Sequence, residues 1–143
     1  MPSKLYGNFL LKALNKEVDF DTDTIKVALL SSSYTPDQDA HDYFNDVSAA
    51  EVSGTGYTTG GNTLASKTAT YDSANNVIVL DAADTTWSSS TITARYAVVY
   101  DSTGTASTSA LIGYVDFGSD QSSTNGNFTI TWDSTGIVRI TVA

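Results

Sequence analysis

Residues Asn127 to Trp132 read NFTITW. Phe128, Ile130 and Trp132 alternate with Thr129 and Thr131, so an extended chain here sends an apolar row to one side and a hydroxyl row to the other. That is the pattern of a strand with one buried face. Upstream, ALIGYVDFG (110–118) repeats it, with Ile112, Tyr114 and Asp116 facing one way and Leu111, Gly113, Val115 and Phe117 the other. The intervening SDQSSTNG (119–126) consists of turn-favouring residues and reads as the connection between two strands.

Working outward, IKVALL (25–30), KTATYD (67–72), NVIVLDA (76–82), TITARYAVVYD (91–101) and GIVRITVA (136–143) carry the same short β signals. SANN, DSTGTASTS and DST punctuate them. Their spacing and alternation predict a mainly β fold, an antiparallel β-sandwich of seven or eight strands with a jelly-roll-like arrangement. The 143 residues show no repeat and no linker and form one domain, 1–143. At this length folding buries roughly 68 to 70% of the unfolded surface, enough for a core without staples.

Two segments depart from the β pattern. At the N-terminus (1–17), Leu5, Phe9 and Ala13 with Leu10 and Leu14 recur at spacings of four, which predicts a short helix over about Ser3 to Asn15 with Ser3 as its N-cap. A helix this short needs a partner surface. The stretch 33–61 is irregular, and a connection of that length in a small domain is usually functional or engaged with something.

Composition narrows the chemistry. There is no cysteine, so disulfides, thiolate metal sites and thiol catalysis are excluded. Serine and threonine make up roughly a quarter of the chain, which suits polar strand faces and hydroxyl-bearing turns. The formal net charge of -9 argues against nucleic acid as a partner. The longest apolar run near the start is Phe9 to Leu11, too short for a signal-peptide core, and no stretch approaches the roughly 20 apolar residues that span a bilayer. The expectation is a soluble protein made in the cytoplasm, without a membrane partner.

Four motifs invite a catalytic or binding reading. GYTTGGNT (56–63) is one residue from a phosphate loop, with Asn62 in the lysine position. It lacks that charge and a following helical pattern, so it reads as a glycine-rich turn in which backbones approach closely. Asp19, Asp21 and Asp23 have the spacing that opens a calcium loop, but Thr24 and Leu30 stand where glycine and glutamate are required. His41 with Asp42 lacks a nucleophile elbow, and Asp81 with Asp84 reads as a turn before it reads as a glycosidase pair. No catalytic, cofactor or metal residues are assigned. Trp87 and Trp132 are the residues suited to stacking a sugar.

The blocks KLYGNFLLKALNKEVDFDTDTIKVALLSSSYTPDQDAHDYFNDV (4–47), GTGYTTGGNTL (54–64), TITARYAVVYD (91–101), LIGYVDFG (111–118) and GNFTITWDSTGIVRI (126–140), in this order, resemble small virion structural proteins of tailed bacteriophages. The resemblance implies a β-rich protein in multiple copies on the particle, and in first place a capsid decoration (cement) protein bound to the major capsid protein as a closed homo-oligomer, a trimer. It brings no catalytic residues. Under it, the N-terminal segment and the 33–61 connection supply the contacts, through Leu5, Tyr6, Phe9, Tyr34, Tyr43, Phe44 and Tyr57. A tail, neck or baseplate component, and a host-recognition or carbohydrate-binding module using Trp87 and Trp132, are the alternative roles.

Overall fold

The computed structural model describes residues 3–143. Among the described residues there are eight strands, β1 (Ser3–Leu5), β2 (Ile25–Leu30), β3 (Asn62–Thr63), β4 (Thr68–Asp72), β5 (Val77–Asp81), β6 (Thr85–Asp101), β7 (Leu111–Ile130) and β8 (Val138–Thr141), with one α-helix, α1 (Phe9–Leu14). They form two antiparallel sheets, ordered β1-β7-β6-β2-β3 and β4-β5-β8. The fold is the mainly β sandwich that the alternation predicts.

Around β2 the five-stranded sheet is buried on both faces, which explains why β2 is apolar at every position but Lys26. Ile25, Val27 and Leu29 join Ala97, Val99 and Ile112 in a core closed from the opposite side by Leu80 and Val138 of the smaller sheet and by Phe9 of α1. The alternate residues Ala28 and Leu30 meet Val98, Tyr100 and Leu111 on the other face. No strand covers that second face. The connection after β2 does so, with Tyr34, Phe44 and Val47 buried against it and two 3-10 turns, Phe44–Asp46 and Ser48–Ala50, carrying the chain across.

β6 and β7 form one long hairpin that dominates the molecule, and here the structure departs from the sequence reading. The stretch 119–126 is no turn: β7 runs through it, joining the two expected strands into one of 20 residues. Four register irregularities make this possible. Ser89 on β6 and Asn125 on β7 adopt positive φ of 49° and 47° beside two of them. Near a third, Gly118 has φ 80°. Bulges of this kind absorb residues that a flat ladder would reject. The buried Ser90 hydroxyl meets Ser123 at 2.7 Å and donates to the Gly126 carbonyl at 3.0 Å, so polar residues in mid-strand are satisfied internally. The fourth irregularity, where Val99 pairs with Gly113 and Tyr100 with Leu111, shifts the phase of 111–117. Ile112 and Val115 consequently share one face while Leu111 and Tyr114 share the other, correcting the simple alternation.

The N-terminal helix is also shorter than expected. Ser3 to Leu5 pair with β7 as a strand, and Ser3 caps nothing. The site of that pairing explains why: a Cβ at Gly113 would lie 2.9 Å from the Lys4 carbonyl, so glycine there admits the β1 backbone. The helix begins only at Phe9, after Gly7 donates its N–H to the Gln38 carbonyl at 2.9 Å.

Candidate interaction surface

α1 turns three residues inward and three outward, as 100° per residue requires. Phe9 and Lys12 are buried and Ala13 packs on the core. Leu10, Leu11 and Leu14 point outward with exposures of 43%, 58% and 82%, correcting the expectation that Leu10 and Leu14 share the packed face. The inward side is fixed electrostatically. Lys12 Nζ donates to the Asp42 carbonyl at 2.7 Å, lies 3.4 Å from an Asp42 carboxylate oxygen, and sits 3.4 Å above the centre of the Tyr43 ring. Tyr43 in turn donates to Glu17 at 2.6 Å, a bond to a carboxylate that pushes its hydroxyl up to about 12. A six-residue helix is marginal alone. This anchoring holds it in place with a leucine face turned to solvent.

The other aromatic candidates for contact fall mainly inside the molecule. Tyr6, Phe9, Tyr34 and Phe44 are buried and Leu5 packs against the core, so these residues organise the chain itself. Tyr6 and Tyr34 share a hydroxyl–hydroxyl bond of 2.7 Å, and Tyr34 lies 3.1 Å from His41 Nδ1. Burial first, and then the bond to Tyr34, drives the Tyr6 hydroxyl far above its ordinary range. Phe44 stacks on Tyr100 at 4.2 Å and 15°. Tyr57 is half-buried. Its hydroxyl donates to Glu51 at 2.6 Å and accepts the Leu29 N–H at 3.1 Å.

The same Glu51 carboxylate accepts the Gly60 N–H at 2.6 Å, and Tyr100 donates to the Gly60 carbonyl at 2.7 Å. The glycine-rich turn is therefore a clamp between the connection and the large sheet. A Cβ at Gly61 would stand 1.9 Å from the Val27 carbonyl, at a φ of 77°. Close backbone approach accounts for Gly56 and Gly61, and a φ of 92° for Gly60.

The sugar-stacking expectation is corrected at Trp87. This ring is 2% exposed, stacked with Tyr57 and edge-on to Phe128, and offers no free face. Trp132 is half-buried, with its indole N–H donated to the Ala83 carbonyl at 3.1 Å and its backbone N–H to Asp84 at 3.0 Å. Asp84 is thereby a turn cap. His41 is held by Tyr34, and its neighbour Asp42 by Lys12.

The acidic stretch 19–23 is likewise built as a turn. Asp19 accepts the N–H groups of Asp21 and Thr22, both at 3.2 Å, while Asp23 accepts that of Asp19 at 2.7 Å. Among the described residues no group of three His, Asp or Glu side chains converges as a metal site would require. Lys67 closes the turn by donating to the carbonyls of Phe20 and Asp23. Beneath it lies a residue the sequence did not single out. Asp101 is buried at the end of β6, and burial, followed by a hydrogen bond to the Asp23 side chain, pushes its carboxyl up to about 7.

Comparison of the chain with family models, curated proteins and solved structures gives no match. Among the described residues no helix is long and apolar enough to cross a membrane.

Proposed function

We propose that this chain is a structural protein of a tailed-phage virion, a capsid decoration protein that binds the outer surface of the head lattice as a homo-oligomer. The order of sequence blocks supports this reading, and one structural observation carries it: the anchored helix α1 displays Leu10, Leu11 and Leu14 to solvent while Phe9, Lys12 and Ala13 on its other side are packed. A contiguous apolar feature on a charged protein suits attachment to another protein. Repetition over a lattice multiplies weak single contacts into firm binding. The role is structural, located on the virion, with the major capsid protein as partner.

Expanded shells of the major capsid protein, incubated with the purified chain and sedimented, test this reading. Saturation near one bound oligomer per lattice position is expected, with Leu11→Glu/Leu14→Glu reducing occupancy at least about tenfold, the loss of about 1.4 kcal/mol or more. In purified virions, a few copies per particle would favour the neck or tail instead, and no binding to the shells would end the reading.

A further inference from the structure

The outer side of β7 is an uncovered sheet edge. β7 is an inner strand of its sheet only where β1 covers it, from Gly113 to Val115. Beyond that point β7 pairs with β6 alone, and among the described residues its other side makes no backbone bond from Phe117 to Ile130. Half of the N–H and C=O groups of such a strand face away from its partner. Proteins ordinarily defend an edge of this sort with charge, proline, brevity, a covering loop or bulges, and of these devices Gln121–Thr131 carries only a bulge, at Asn125. The remaining edges are defended: β1 carries Lys4, β4 ends in Asp72, β8 carries Arg139, β3 has two residues, and the side of β6 that β2 leaves open is covered by the 55–62 segment, through the Thr55–Thr91 bridge and the Asn62 side chain on the Thr86 carbonyl. Gln121 to Thr131, QSSTNGNFTIT, contains eleven residues with neither a charge nor a proline, in a chain whose formal net charge is -9.

We infer that this edge pairs with the same edge of a second copy, antiparallel, extending the β6–β7 sheet across a two-fold axis. Charge selects the occupant. Two copies of so acidic a protein repel over most of their surfaces, and a strip that brings no carboxylate with it is where they can approach. Side-chain chemistry agrees. Thr129 meets Thr86 at 2.9 Å and Ser122 meets Thr93 at 2.8 Å, forming cross-strand hydroxyl pairs that a second β7 extends with its own hydroxyls. A groove of about 420 Å³ runs beside the strand between Phe117 and Thr131, with Gln121, Asn127 and Phe128 on its walls, leaving room for side chains of an added strand. Antiparallel self-pairing is isologous and closes at two copies, so the oligomer is a dimer or is assembled from dimers. The edge spans about 36 Å. One strand pair gives less than the roughly 800 Å² per partner of a stable complex, so the contact belongs with weak, reversible associations.

Sedimentation equilibrium of the full chain tests this, combined with amide hydrogen exchange over a concentration series. The expected result is a shift from the 15.1 kDa chain mass to twice that value, with concentration-dependent protection of alternate amides in 126–130, the part of the edge beyond the bulge at Asn125. Thr124→Lys/Asn127→Lys, both on exposed side chains, raises the dissociation constant at least about tenfold without changing the melting of the monomer. Leu11→Glu/Leu14→Glu leaves the dimer intact, which separates this contact from shell attachment. A trimer, a mass unchanged at millimolar concentration, or a dimer indifferent to the edge lysines overturns the inference. Protection of these amides at monomer mass assigns the edge to a different strand and overturns it equally.

Discussion

Asp101 sets the pH response of the molecule. Its carboxyl is raised to about 7 by burial and by the bond with Asp23, whereas an unfolded aspartate ionises near 3.8. Between those values the folded chain keeps a proton that the unfolded chain has lost, so stability falls as pH rises from about 4 to about 7. The exposed turn caps act in the opposite sense. Asp19, Asp37, Asp72 and Asp133 are lowered chiefly by hydrogen bonds from nearby side-chain and backbone donors, so their contribution is present above the unfolded value and disappears as pH drops through it. Thermal melts across pH therefore peak between about pH 4 and 5, just above the range where the caps are lost. Asp101→Asn flattens the alkaline side of that profile and raises stability at pH 8 by about 1 to 3 kcal/mol, because a buried charge is replaced by a neutral group of the same shape. A profile unchanged by the substitution would mean that the carboxyl ionises freely in the fold.

At the scale of elements, the connection between β2 and β3 substitutes for a missing sheet layer. Phe44 stacks on Tyr100 and closes the face formed by Ala28, Leu30 and Val98. Phe44→Ala leaves a hole beneath a segment with no regular ladder of its own and is expected to cost about 3 to 5 kcal/mol in denaturant titrations. A loss under about 1 kcal/mol would show that the segment is draped over the sheet without closing it. The strands themselves were legible in sequence where apolar residues alternate, as in 127–132, or run together, as in 25–30. The continuity of β7 through 119–126 was hidden because serine, asparagine and glycine signal turns when their hydroxyls and backbones face water. Ser123 and Gly126 instead satisfy Ser90 in the interior. Periodicity placed a helix near the N-terminus but could not tell which of its apolar faces would be packed. That choice was made by Lys12, whose pairing with Asp42 turns the leucines outward. Nor did the aromatic residues reveal their exposure, since a buried Trp87 and a half-buried Trp132 sit in equally polar local sequence.

For the whole molecule, the excess of acidic residues opposes every association between copies, and this gives self-pairing a signature in salt. Two chains of formal charge -9 lose repulsion as ions screen them, with a screening length of about 30 Å at 0.01 M and about 10 Å at 0.1 M. An edge held by backbone hydrogen bonds and hydroxyl pairs has no ion pairs of its own to lose. The dissociation constant should consequently fall as salt rises, by about three- to tenfold between 0.02 and 0.5 M, with most of the change below 0.15 M. An interface built on lysine contacts to carboxylates would weaken over the same range, and a purely apolar contact through α1 would continue to strengthen in sulfate well after screening is complete. The sign and the saturation of the salt dependence thus identify the contact, and the edge lysines of Thr124→Lys/Asn127→Lys would reverse neither if pairing occurred elsewhere.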